Sequence, residues 1–116
     1  MVPGNSAKRA SFVAIRGWIL RYTFEWDPIK AKENLRKHRI SFDRAGEVIL
    51  DPLAVSIVDE EHSEHEERWV SIGKDRRGSI LVLIHTFLEL SAEECRIRII
   101  SARKANKQET RQYEET

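Results

Sequence analysis

The sequence is poor in the features that mark several common protein classes. Its 116 residues contain a single cysteine, Cys95, so no internal disulfide can form, and no CxxC or Cys/His cluster surrounds it. A lone thiol fits a reducing, cytoplasmic compartment, and with no base nearby in sequence Cys95 reads as a bystander rather than a nucleophile. No apolar run is long enough to cross a bilayer; the best, FVAIRGWIL, is short and interrupted by Arg16. There is no P-loop, no GxGxxG and no GxSxG, so neither nucleotide nor ester hydrolysis has support. No internal repeat or low-complexity tract appears.

What is present is enough chain for one domain with one modest core. Charged residues make up 34% and apolar residues 41%, the balance of an ordinary globular protein. The net charge of +1 hides a segregation. Residues 1–23 carry Lys8, Arg9, Arg16 and Arg21 with no acid, leaving −3 on the remainder, and residues 59–67 (DEEHSEHEE) hold six acids and no base. Residues 68–107 are then rich in arginine and lysine. A basic half can offer phosphate contacts even when the whole is nearly neutral; the plainer reading is solubility.

Residues 1–20 have no clear hydrophobic period. An acid-free leader with Arg and Ser can resemble a targeting peptide, but a translation start near Leu20, with the upstream residues coming from a misplaced start, is the preferred reading. The expectation is a disordered or misassigned extension over 1–20 and a single domain over 21–116. From Arg21 the pattern sharpens. RYTFEW alternates as a first strand. Asp27-Pro28 is a helix start, with Asp27 capping free N–H groups and Pro28 in the first turn. Pro28, Ala31, Leu35 and His38 form the expected inward stripe, and Lys30, Asn34 and Lys37 a polar one. Ser41 can cap a second helix facing inward through Phe42, Ala45 and Ile49, ended by Asp51-Pro52. Strands follow at 54–59, 67–73, 79–87 and 95–102, with a hairpin at 74–78, a polar loop at 91–94 and a polar helix over 103–115. The nearly continuous apolar run SILVLIHTF predicts a central strand. Short connections predict an α+β fold: an antiparallel four- to five-stranded sheet, two N-terminal helices on one face, a C-terminal helix, and the opposite face left open.

Several pieces in this order resemble the BrnT toxin family: Phe24-Glu25-Trp26-Asp27-Pro28, Asn34 with Lys37-His38, Ser41-Phe42, Asp51-Pro52, His62-Ser63, Glu67-Arg68, Ile72-Gly73 and Arg98 to Arg103 (RIISAR). The resemblance runs from about Tyr22 to Tyr113. It implies a RelE-like fold and metal-independent RNA cleavage that inhibits translation. It also implies neutralisation by a BrnA-type antitoxin, through which alone the complex would contact operator DNA. Two departures stand out. Arg39 occupies the position after Lys-His where the family usually has glycine, and Phe87–Glu94 is apolar and acidic where relatives commonly place a shorter polar hairpin.

Metal-free RNA cleavage needs a base for the 2′-OH, an acid for the 5′ oxygen and cations for the phosphorane. Each acid or base contributes about 10²–10⁴-fold, and preorganised cations a comparable factor. The catalytic candidates are His62, Glu67, Arg68, Arg98 and Arg103; the RNA-binding candidates are Lys37, His38, Trp69 and Arg96. Ordinary alternatives stand beside them. His62 fits a solvated loop histidine, Glu67-Arg68 a surface ion pair of little energetic weight, Arg96 and Arg98 the wet face of an amphipathic strand, and His38 a packed helix-end residue. The two histidines of His62-Ser63-Glu64-His65 do not have HExxH spacing and no third distant ligand is marked, so no metal or cofactor is expected. The alternative function is a non-catalytic module that binds nucleic acid or a partner through the same basic face.

Overall fold

The computed structural model describes residues 7–15, 18–62 and 66–115, with the backbone alone over 7–15 and 18–20. Its strands are β1 (Ala7–Ile15), β2 (Trp18–Trp26), β3 (Val55–Asp59), β4 (Arg68–Lys74), β5 (Ile80–Thr86), β6 (Leu88–Ser91) and β7 (Glu94–Lys104). Its helices are α1 (Pro28–His38), the single turn α2 (Phe42–Ala45), which runs into a 3-10 segment Gly46–Leu50, and α3 (Lys107–Glu114). The strands form one sheet in the order β1-β2-β7-β5-β4-β3, with β6 also paired to β7.

The sheet is mixed, not antiparallel as expected. β3, β4, β5 and β7 form the antiparallel meander that short connections dictate, but β2 joins β7 in parallel, from Arg21↔Glu94 to Glu25↔Arg98. The whole helical segment and the meander separate β2 from β7 in sequence, so no hairpin constrains their direction. The sheet is also wider than four or five strands. Residues 88–91, ahead of the expected polar loop, pair with β7 as β6. Ala7–Ile15, excluded from the fold on sequence grounds, is β1 and pairs antiparallel with β2 from Ala7↔Trp26 to Ile15↔Trp18.

The helix arrangement differs too, since α3 lies across the sheet from α1 and α2. Along β5, Leu81 and Leu83 face one way, into a core with Phe24, Trp26, Ile40, Phe42, Ala45, Val48, Ile97, Ile99 and Ala102. Val82 faces the other way with Ile72 against Tyr113 of α3, with Val70, Ile80 and Ile84 beside them. An apolar run buried on both faces is the signature of a central strand, and β5 sits between β4 and β7 as expected. The Tyr113 hydroxyl donates to Asp51 at 2.7 Å, which ties α3 to the segment after the first helices. The face opposite α1 is therefore open only where α3 does not reach.

Local chemistry explains the corners. Asp27 accepts from the Ile29 N–H at 2.8 Å and Ser41 from the Arg44 N–H at 3.1 Å, so both expected caps form. The α1 stripe is rotated from the expected one: Leu35 and His38 are exposed, and Asn34 is buried. Asn34 donates to the carbonyls of Ile40 (3.0 Å) and Ala102 (2.9 Å) and accepts from the Ala102 N–H (3.1 Å). Its amide thus takes the place of a strand along β7, beyond Arg98 where the pairing with β2 ends. Arg39 closes α1 in the left-handed region at φ 60°, with its N–H on Leu35. In the β4–β5 turn Arg44 pairs with buried Asp75, while Gly78 takes φ 84°. Gly73 is required by close approach, since a Cβ there would lie 3.0 Å from Val48 and 3.1 Å from Ala54.

Candidate functional site

Strand alternation decides which side chains meet. Val70 and Ile72 face α3, so Arg68 shares their face; Ile80, Val82 and Ile84 place Thr86 there; and Ile97 and Ile99 in the helix-side core leave Arg96 and Arg98 opposite. Arg68 stands directly across from Thr86, and the Arg98 N–H donates to the Thr86 hydroxyl at 3.1 Å. Arg68 and Arg98 therefore flank Thr86 on the open end of this face. Their strands are about 10 Å apart, two interstrand spacings, a gap that two arginine side chains can close around one phosphate.

Acids and a histidine surround this pair. Asp59 is the register partner of Arg68, and its carboxylate is 2.9 Å from Nδ1 of His62, whose side chain is 62% exposed. Arg98 forms an ion pair with Glu66 and has Glu25 of β2 in parallel register beside it. Cations two strands apart with carboxylates and an imidazole at the rim can hold a phosphate and exchange protons with its neighbours.

Other expected members lie elsewhere. Glu67 does not face Arg68; it alternates to the helix side, where its carboxylate accepts from the Trp69 indole N–H at 3.1 Å. Arg103 shares the arginine face, but it is in register with Val82, four residues along β5 from Thr86 and so about 13 Å away. Its guanidinium makes two parallel bonds to Glu109 of α3, at 2.7 and 2.8 Å. That bond raises the Arg103 pKa, and on the other side it holds the Glu109 carboxyl low against the opposing effect of burial. Arg96 extends the same basic row beyond Arg98 and is exposed. Lys37 and His38 are exposed on the last turn of α1, across the sheet from the arginines. Glu66, Asp59, Glu25 and Thr86 were not singled out by sequence. Period-2 alternation through the acidic run could have separated Glu66 from Glu67, but the pairing across strands could not be read.

A second polar group sits on the helix side. His85 is 2% exposed, and its Nδ1 lies 2.9 Å from the Thr86 carbonyl, which can only accept; Nδ1 therefore carries the proton. Nε2 must then accept from the Ser71 hydroxyl at 2.7 Å, and Ser71 in turn accepts from Ser56 at 2.7 Å. Burial lowers the His85 pKa, with the Thr86 bond opposing, so the ring is neutral near pH 7. His85 and Ser56 border a cavity of about 220 Å³ lined also by Tyr22, Ile49, Ala54, Trp69 and Phe87.

Cys95 is buried, and burial, then the Glu89 and Glu94 carboxylates, push its pKa up, which keeps it a thiol. Among the described residues no three His, Cys, Asp or Glu side chains converge as a metal site; Ser63, Glu64 and His65 of the histidine loop lie outside the described residues. No helix among the described residues is long and apolar enough to cross a membrane.

Residues 26–109 match a family model described as a ribonuclease toxin, BrnT, of a type II toxin–antitoxin system. That span is most of the chain and contains Arg68, Thr86, Arg98 and Arg103. No curated protein matches the chain.

Proposed function

This chain belongs to the BrnT family of type II toxin–antitoxin ribonuclease toxins, and from that membership we propose that it cleaves RNA without a metal ion on the sheet face bearing Arg68 and Arg98. The observation that carries the reading is the placement of these two arginines on either side of Thr86, with Glu66 on Arg98 and the Asp59–His62 pair beside Arg68. The scissile phosphate lies between the guanidinium groups. The 2′ oxygen attacks phosphorus as its proton passes to Glu66 or His62, and the bond to the 5′ oxygen breaks as that oxygen gains a proton. The products are a cyclic phosphate and a free 5′-hydroxyl. Arg96 and Arg103 continue the basic row along β7 and contact neighbouring phosphates. Glu67 acts indirectly, by fixing the Trp69 ring.

Cleavage of cellular RNA would inhibit translation in the cytoplasm, and a BrnA-type antitoxin would neutralise it and carry the complex to operator DNA. The proposal is tested with purified protein and RNA. Arg68→Ala and Arg98→Ala are each expected to lower cleavage by at least about 10²-fold, with activity unchanged by EDTA. Full activity in both variants would move the site elsewhere, and loss of activity in EDTA would restore a metal to the scheme.

One observation favours the alternative of a binding module without catalysis. Arg98 and Arg103 are both engaged by acids of their own chain, Glu66 and Glu109. RNA retained by the protein but left intact would support that reading.

A further inference from the structure

The cavity on the helix side of the sheet is unused by the proposed phosphate chemistry, which occupies the other face. Three of its walls are aromatic: Tyr22 from β2, Trp69 from β4 and Phe87 at the end of β5. Trp69 and Phe87 meet nearly edge to face, with ring centroids 6.5 Å apart and planes at 64°. The Trp69 ring cannot turn freely because its N–H is held by Glu67. At about 220 Å³ the space is below the roughly 300–1,000 Å³ of drug-sized pockets. It suits a single planar ring system.

The polar wall has a fixed direction. The Thr86 carbonyl can only accept, which puts the proton of neutral His85 on Nδ1 and makes Nε2 an acceptor. Ser71 must spend its proton on Nε2, so Ser56 must spend its own on Ser71. Ser56 is exposed at the outer end of this chain, and its oxygen is left with lone pairs alone to offer a ligand. The pocket therefore combines aromatic stacking surfaces with one hydrogen-bond acceptor, the combination that binds an aromatic ring bearing an N–H donor.

We propose that the Tyr22–Trp69–Phe87 pocket binds a nucleobase through its faces and takes an exocyclic amino N–H onto the Ser56 oxygen. The base can come from a free nucleoside or from RNA; only the second source rests on the ribonuclease function proposed above. Strand β4 links the two sites, since Arg68 and Trp69 are consecutive residues with opposite faces, so an RNA held at the arginines can present a neighbouring base around the end of the strand.

The test uses the full chain and two probes, adenosine and purine riboside, which has the same bicyclic ring without the amino group. Binding is followed by NMR shifts of Ser56, the Trp69 indole and His85. Adenosine is expected to bind about 3- to 10-fold more tightly, the scale of one net hydrogen bond. Ser56→Ala should erase that difference while leaving purine riboside affinity unchanged. Phe87→Ala, at a partly exposed ring, should weaken both probes by about 10-fold, the scale of lost stacking. Arg68→Ala should leave nucleoside binding intact even where it abolishes cleavage, which separates failure of this site from failure of the ribonuclease reading. In the RNA arm, Ser56→Ala should change which sequences are cut more than how fast the best one is cut. The pocket is refuted if neither probe shifts the pocket resonances at millimolar concentration. Equal affinity of the two probes, or a preference that survives Ser56→Ala, refutes the assignment of Ser56 as acceptor.

Discussion

Removing the Asn34 amide is expected to destabilise the fold far more than an ordinary substitution on a polar helix stripe. Three hydrogen bonds depend on that amide, to Ile40 and to both backbone groups of Ala102, and Asn34 is only 6% exposed. At about 1 kcal/mol net for each bond the loss is about 3 kcal/mol. In Asn34→Ala the better helix propensity of alanine returns roughly 0.5 kcal/mol, for a net of about 2.5 kcal/mol. In a domain of this size each kcal/mol moves the melting temperature by about 4 °C or more, so a drop of about 10 °C is expected. Urea titration should show a lower midpoint with an unchanged slope, the mark of lost stability without a change in compactness. Asn34→Leu, which fills the space but pairs with nothing, should do no better than alanine, because the Ala102 N–H and carbonyl still lack partners. Lys37→Ala, exposed on the same helix, should stay within about 0.5 kcal/mol. A loss under about 1 kcal/mol for Asn34→Ala, or a stable Asn34→Leu, would refute the claim that this amide stands in for a neighbouring strand.

Arg39→Gly should raise stability by about 0.5–1 kcal/mol in chemical denaturation, because Arg39 holds a left-handed conformation that glycine adopts without a Cβ penalty; no gain would mean that the Arg39 side chain makes a compensating contact. Burial lowers the pKa of His85 from 6.5, so the unfolded chain takes up that proton first. Stability from this group is complete above about pH 6.5 and falls as the pH drops, by at most about 1.4 kcal/mol per pH unit; His85→Gln should flatten that part of the profile. The bond to Asp51, then burial, push the Tyr113 pKa up to about 12 from its ordinary value of 10.0. The sign is opposite: stability is complete below about pH 10 and declines as the pH rises towards 12, and Tyr113→Phe should remove the decline while lowering stability at pH 7 by about 1–2 kcal/mol.

Much of the local structure was legible because its causes are local. Asp27-Pro28 and Ser41 start helices through atoms within three residues, and both caps form. The run SILVLIHTF required burial on two faces, and β5 is central. Alternation in CRIRIISA separated a buried face from a basic one, which placed Arg96 and Arg98 together. The family resemblance rested on such short pieces and is borne out over residues 26–109.

What tertiary structure decided are relations between distant segments. Nothing near β2 in sequence specified that it would lie parallel to β7, because no short loop joins them. Asn34 read as a solvent residue because its neighbours are lysines; only the open edge of β7 at Ala102, 68 residues away, makes its burial favourable. The same holds at the site. Composition supplied acids next to arginines, but a single residue of strand phase turns Glu67 to Trp69 and leaves Glu66 on Arg98. Arg103, a catalytic candidate like Arg68, is held four residues along β5 from Thr86 by strand register and is paired there with Glu109 of α3. Side-chain identity and period are written along the chain. Register across strands, and therefore which charge meets which, arises only when the sheet closes.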